Sequence, residues 1–422
     1  MYICGGYIVK VNRKGQMVGS YGGYGKIPRR FDFVHPMAID SKGAIYAAEI
    51  KNWRVQEFAW QNQAGSSIVA GMDRRNFLEQ TAGLTLSTLA AAGAAPEKVR
   101  TGMLGTGHSH FSGKLKAMMD SPLFEIAGVV AESAEAKAKL EKSPAYAGLR
   151  WMSEAEMLGD ASIQLIVVEC RAWEALPWGK KVIAAGKHLH LEKPPGNEYK
   201  PFRELVEEAR RKNLRLQTGY LWRWHEGLNA AIEAAKKGWL GEVFMVRGTM
   251  SSDRGAEERA IEAHYKGGGL FELSGHVIDR VIEILGRPKA VKSWLRHDTS
   301  TPDKLADNNM AVFEYDRALA VVTQATKMAG AGDHRSFEVL GTDGSFVIYP
   351  ERNPPSMRVH MRKAQGPYKA GWQDITLPPQ PRFVADFAEL GRSIQSGQPL
   401  RHSYDHELLL QETLLRASGE MA

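Results

Sequence analysis

Cysteine is almost missing from this 422-residue chain, which holds only Cys4 and Cys170. Neither has metal-ligand spacing, so a disulfide framework and a cysteine-held metal are both excluded, and no metal is expected. Cys170 follows an apolar strand and reads as a buried structural thiol. Long hydrophobic runs are missing too, and none reaches the length of a membrane-spanning helix. Charge of one sign is scarce where it would matter. The formal charge is +7, but residues 1–71 hold nine Lys/Arg against four acids and residues 72–95 balance. The remaining chain therefore carries a surplus of only two, with no Lys/Arg stripe, and a nucleic-acid partner is not expected. What is left is ordinary soluble-protein composition, 43% hydrophobic and 24% charged, on a chain long enough for two to three domains.

Three dissimilar segments succeed one another. In residues 1–60, short apolar runs such as Tyr7–Val11 and Ala44–Ala48 are separated by turn signals, the pattern of β-hairpins. The stretch GKIPRRFDFVHPMAIDSKGAIYAAEIKNWRVQEF resembles an NHL-type β-propeller repeat. A propeller needs about four to eight blades, so this segment is expected to be an incomplete fragment, foreign to the rest of the chain. Residues 72–95 open with Met72-Asp-Arg74-Arg75-Asn-Phe77-Leu78, continue in a short apolar stretch and close on small residues. That is the layout of a secretory signal, and the Arg pair resembles a twin-arginine signal, which exports proteins already folded. If translation starts at Met72, an extracytoplasmic (periplasmic) location is expected; otherwise a cytoplasmic one.

The third segment carries the chemistry. Apolar strands alternate with helical stretches up to about residue 220, the mark of a parallel α/β sheet. Longer strands then dominate, for example Glu242–Thr249 and Asn309–Tyr315. The expected fold is a doubly wound Rossmann domain over 98–220, followed over 221–422 by an α+β substrate domain with a large open-faced mixed sheet. Val99–Leu104 reads as the first strand and runs into Gly105-Thr106-Gly107-His108-Ser109-His110, with a helix after it. Glycines here let the backbone approach a pyrophosphate at a helix N-terminus, although His110 stands where a third glycine is usual. Glu132, just past a second strand, suits the adenosine ribose hydroxyls and would favour NAD over NADP; a solvated surface acid is the plain alternative.

Four stretches, GMLGTGHSH, AAGKHLHLEKPPG, GYLWRWHEGLNAAIEAAKKGWLGEV and GGGLFELSGHVIDRVIEILGRP, occur in the order and spacing of the Gfo/Idh/MocA family, which the chain resembles over about 98–420. The resemblance implies a nicotinamide-dependent oxidoreductase acting on a sugar or polyol held between two domains. It implies that Lys193 of Glu192-Lys193-Pro194 touches both nicotinamide and substrate, and that an acid and a histidine four residues apart, here Glu272 and His276, form the acid–base pair. Residues i and i+4 share a helix face, so Glu272 is expected to hold the His276 imidazole while His276 moves the hydroxyl proton. Asp279 is expected to orient Lys193 or a substrate hydroxyl. Arg223 matches a position near the cofactor, with an interdomain salt bridge as the alternative. His264 and Tyr265 are candidates to line the sugar site, and Trp222 and Trp224 to stack on a sugar or pack the core. Two departures stand out: Glu272 where the family has Asp, and Glu169-Cys170-Arg171-Ala172-Trp173 where relatives carry a Thr-Pro turn. An NAD-dependent glycosidase using transient oxidation and a non-catalytic sugar-binding relative are the competing functions. A tightly held NAD or NADP, a small carbohydrate and further copies of the same chain are the expected partners.

Overall fold

A computed structural model describes residues 97–349, 351 and 354–421, together with the strand backbone inside residues 1–96. In that first part, β1 (Tyr2–Cys4), β2 (Tyr7–Val11) and β3 (Met17–Gly22) form one antiparallel sheet, and β4 (Val34–Ile39), β5 (Ala44–Glu49) and β6 (Arg54–Ala59) form another. The expected signal segment, 72–95, lies outside the described residues. Residues 1–95 and 96–422 are separate compact units.

The second unit begins with β7 (Val99–Leu104), β8 (Phe124–Val130), β9 (Leu165–Val168), β10 (His188–Leu191) and β11 (Leu216–Thr218). They pair in the order β11-β10-β9-β7-β8, all parallel. Every residue of β9 is buried, as a central parallel strand covered on both faces requires. The helices Ala172–Ala184 and Tyr199–Arg211 present Leu176, Val182, Ile183, Phe202, Leu205 and Val206 to one face. The helix Phe111–Met119 covers the other with Phe111, Leu115 and Met118. That second face is completed from the far end of the chain. Phe383, Phe387 and Leu390, at the start of and within the helix Val384–Ser396, pack with Val99, Met103 and Phe124. A division at residue 220 therefore leaves out part of the Rossmann core.

Strands β12 (Val243–Thr249), β13 (Ala290–Arg296), β14 (Asn308–Glu314), β15 (Leu319–Ala325), β16 (Ser336–Gly341), β17 (Gly344–Ile348), β18 (Ser356–Met361) and β19 (Gly371–Thr376) build the second sheet. Its order is β13-β14-β15-β12-β16-β17-β18-β19, antiparallel except for the β12–β15 pair. Burial alternates along these strands, as the two-residue side-chain period of a one-sided sheet demands. The helices Glu226–Lys236 and Gly269–Leu285 fill the buried face with Leu228, Ala231, Val277, Ile278 and Val281. Phe244, Trp294, Leu319 and Trp372 stand exposed on the sheet. This is the Rossmann-plus-open-sheet architecture expected from the sequence.

Candidate active site

The site forms where the carboxyl ends of β7, β9 and β10 meet the Gly269–Leu285 helix, the place where open parallel sheets bind ligands. Gly105 ends β7 with φ +91, a conformation that L side chains resist, and an added Cβ would lie 2.7 Å from the Glu169 carbonyl oxygen. The turn sends the chain across the sheet edge to the helix beginning at Phe111. Among the described residues, nothing accepts from the backbone N–H groups of Gly107, His108 and Ser109. Three free donors ahead of a helix N-terminus fit a pyrophosphate. They border a groove of about 360 Å³ lined by Thr106, Gly107, His108 and Ser109 on one side and by Arg171, Ile261 and Glu272 on the other. Glu132 lies at the same loop, accepting from the Thr106 N–H at 2.9 Å and from its hydroxyl at 2.6 Å. The loop and its acid therefore fit the dinucleotide half of a nicotinamide cofactor.

Beside the loop lies a buried charge cluster that sequence reading missed. Lys114 is fully buried and donates to Glu169 Oε1 at 2.6 Å and, more closely, to Glu192. Burial alone would lower that ammonium, but the two carboxylates outweigh it and raise the group to about 12. Burial pushes the Glu169 carboxyl upward, while Lys114 and the two histidines hold Glu192 down despite its burial. His110 Nδ1 lies 3.1 Å from Glu192, and His108 lies 3.6 Å from it. Glu192 also accepts the Lys193 N–H at 2.9 Å. Glu192 is thus walled off inside the protein, beneath the glycine loop and next to Lys193. The one clue in the sequence was the departure at residues 169–173.

Lys193 is buried and reaches across to the Gly269–Leu285 helix. Its Nζ donates to Glu272 Oε1 at 2.9 Å and to the Glu272 carbonyl oxygen at 3.1 Å. The pairing expected between Glu272 and His276 is not formed; Glu272 turns instead to the lysine, 79 residues away in sequence, because a cation is the stronger partner for a buried carboxylate. Burial would raise the Glu272 carboxyl, yet Lys193, with His108 behind it, holds it at about 2. His276 packs edge-on to Tyr220, with ring centroids 5.5 Å apart, and its buried Nδ1 has no hydrogen-bond partner. Burial, reinforced by the Lys193 charge, keeps its imidazole well below its ordinary value and therefore neutral at physiological pH. Lys193 and His276 both face a cavity of about 530 Å³, walled also by Trp222, Trp224, Met250 and Leu273.

Three further expectations are corrected. Asp279 reaches neither Lys193 nor the cavity: it accepts from Arg223 at 2.9 and 3.1 Å, from His406 at 2.8 Å and from Arg280. Arg223 is buried between Asp279 and Glu407, so it holds the fold together and does not face the cofactor loop. Tyr265 is buried against Phe271, and His264 stacks on Trp173 with centroids 4.6 Å apart, both outside the cavity wall. Cys170 is buried, and burial raises its thiol far out of reach of ionisation.

Residues 99–220 match the oxidoreductase family with an NAD-binding Rossmann fold, and residues 228–347 match the Gfo/Idh/MocA C-terminal domain. The chain belongs to the Gfo/Idh/MocA oxidoreductase family. This member is 24% identical over 250 residues to an uncharacterised oxidoreductase, YhhX, of Escherichia coli, spanning 58% of this chain and 66% of that one. It is 23% identical over 197 residues to the scyllo-inositol 2-dehydrogenase (NADP(+)) IolW of Bacillus subtilis, spanning 46% and 54%. Its fold is that of levoglucosan dehydrogenase solved with NADH and levoglucosan, at TM-score 0.65 and 17% identity over 77% of this chain and 97% of that one. As a family member it is an NAD(P)-binding oxidoreductase.

Proposed function

We propose that this protein transfers a hydride between a bound nicotinamide and a CH–OH or C=O group of a sugar or polyol, with His276 as acid/base and Lys193 as the polarising group. The observation that carries this reading is the convergence of a neutral, buried imidazole and a buried ammonium on one cavity beside the dinucleotide loop. The nicotinamide, when bound, gives or takes the hydride. Lys193 lies where it can donate to the reacting oxygen, lowering the cost of alkoxide character in a site shielded from water. Neutral His276 takes the hydroxyl proton as the hydride leaves and returns it in the reverse direction. Glu272 holds the lysine in place through their 2.9 Å ion pair. Trp222 and Trp224 give the cavity the flat apolar walls that suit a sugar face.

We read Glu132 as favouring NAD over NADP, and the exposed aromatic face of the second sheet as the surface on which copies of the chain associate. We also read the Arg74-Arg75 segment as a signal that carries the folded enzyme, with its cofactor held, out of the cytoplasm; N-terminal sequencing of native protein checks this, and Met1 on exported material would overturn it. The test of function is NADH formation with a sugar and polyol panel. Lys193→Ala and His276→Ala are each expected to lower kcat/KM by about 10²–10⁴, and unchanged turnover in either would overturn the assignment.

A further inference from the structure

Four cationic side chains, Lys193, Arg254, Arg335 and Arg382, line the cavity. Two of them are already neutralised. Lys193 is paired with Glu272, and Arg254 with Glu258 and Glu262. Arg335 and Arg382 differ: among the described residues, neither has a carboxylate within salt-bridge distance. Arg335 spends its Nε on the Ser251 carbonyl at a long 3.4 Å, and Arg382 approaches His110 Nε2 at 3.3 Å. The carboxyl groups on the same wall do not close on either guanidinium: Glu351 interacts with Arg335 and Arg382 only beyond salt-bridge distance, and burial raises Asp386 to about 6.

Arg335 is half-buried and Arg382 exposed, and among the described residues neither is closed off by a carboxylate at salt-bridge distance. An anion entering the cavity would therefore meet a surplus of positive charge. Burial depresses the Arg335 guanidinium, and its neighbours Arg254 and Arg382 add to this while Glu351 only partly offsets it. The cofactor's own phosphates are not the obvious answer for Arg335. It does not line the groove that borders the free N–H groups of the glycine loop. It does lie within electrostatic reach of His276, so a small molecule can touch both.

We propose that the substrate is a sugar bearing an anionic group, a carboxylate or a phosphate, which Arg335 and Arg382 hold while the reacting carbon lies at Lys193 and His276. This rests on the hydride-transfer reading for where the reacting carbon lies, but the anion site itself can be tested without turnover. Planar guanidinium forks bind carboxylate and phosphate oxygens in pairs, which fixes orientation as well as charge.

The experiment is calorimetric titration of the NAD-loaded full chain with hexuronates, hexose phosphates and their neutral parent hexoses. At least one anionic class is expected to bind about tenfold or more tightly than its neutral parent. Arg335→Gln should lose that preference at least ten times more than it loses NAD affinity, and Arg335→Lys should recover part of it. Hexuronate preference alone assigns a carboxylate, and phosphate preference alone a phosphate. Neutral sugars binding as tightly as the acids, no binding by any of the three classes, or an Arg335→Gln effect confined to NAD would each overturn the proposal. NADH formation, followed separately, keeps the two readings apart. Oxidation of neutral sugars with no acid preference removes the anion site and leaves the function, whereas acid binding without hydride transfer does the reverse.

Discussion

Replacing Lys114 by Met is the sharpest test of the charge cluster under the glycine loop. The ammonium is fully buried, 2.6 Å from Glu169 and in close contact with Glu192, and both carboxylates are themselves buried. Removing one partner of a buried pair leaves an uncompensated charge and costs about 3–5 kcal/mol. For a unit of this size that corresponds to a fall in Tm on the order of 10 °C. The variant should relieve part of the strain by protonating Glu169, the carboxyl that burial already pushes upward. With its folded pKa above the unfolded value, that group binds more protons in the folded chain than in the unfolded one between the two values. The variant's stability therefore falls as pH rises through that window and is greatest below the unfolded pKa. Urea denaturation followed by tryptophan fluorescence at several pH values measures this, and adding Glu169→Gln should restore most of the loss at neutral pH. A loss under about 1 kcal/mol, or no rescue by Glu169→Gln, would refute the reasoning.

Other outcomes rest on the same geometry. Because burial holds the His276 imidazole well below its ordinary value, kcat/KM for oxidation should stay flat as pH falls from about 8 to about 6.5, the unperturbed histidine value; an inflection near that value would mean His276 is solvated. Asp279→Asn breaks a buried pair with Arg223 and should cost about 3–5 kcal/mol in denaturant, and an unchanged melt would return Asp279 to the list of site residues. Gly105→Ala forces a side chain into φ +91 and against the Glu169 carbonyl. It should weaken NAD binding by about 1–3 kcal/mol, read by calorimetry, and wild-type affinity would remove the glycine loop from the cofactor site.

The parts of the site legible in the sequence are those written locally. The glycine turn, its flanking strand and helix, and Lys193 at a strand end are runs of neighbouring residues whose geometry their own backbone sets. Glu272 was assigned to the wrong partner because a four-residue spacing advertises a contact on one helix, whereas Lys193 arrives from another domain and carries a charge. Arg223 and Asp279 misled for the same reason, since their partners Glu407 and His406 lie 184 and 127 residues away in sequence. Lys114 was invisible because a lysine on a short amphipathic helix looks like a solvated one. The fold was legible through periodicity, except that the helix Val384–Ser396 comes after the second sheet in sequence and completes the first in space.

That last helix governs when the cofactor domain can exist. Phe383, Phe387 and Leu390 close a face of the Rossmann sheet opened by Val99 and Met103, nearly three hundred residues earlier. Phe383 also sits over Gly113 in the helix next to the dinucleotide loop. A chain emerging from the ribosome therefore holds an unfinished cofactor domain until the Val384–Ser396 helix has been made. Nicotinamide capture belongs to a chain that already carries that helix, and a fragment ending at residue 220 should be a poor dinucleotide binder however faithfully it carries the glycine loop.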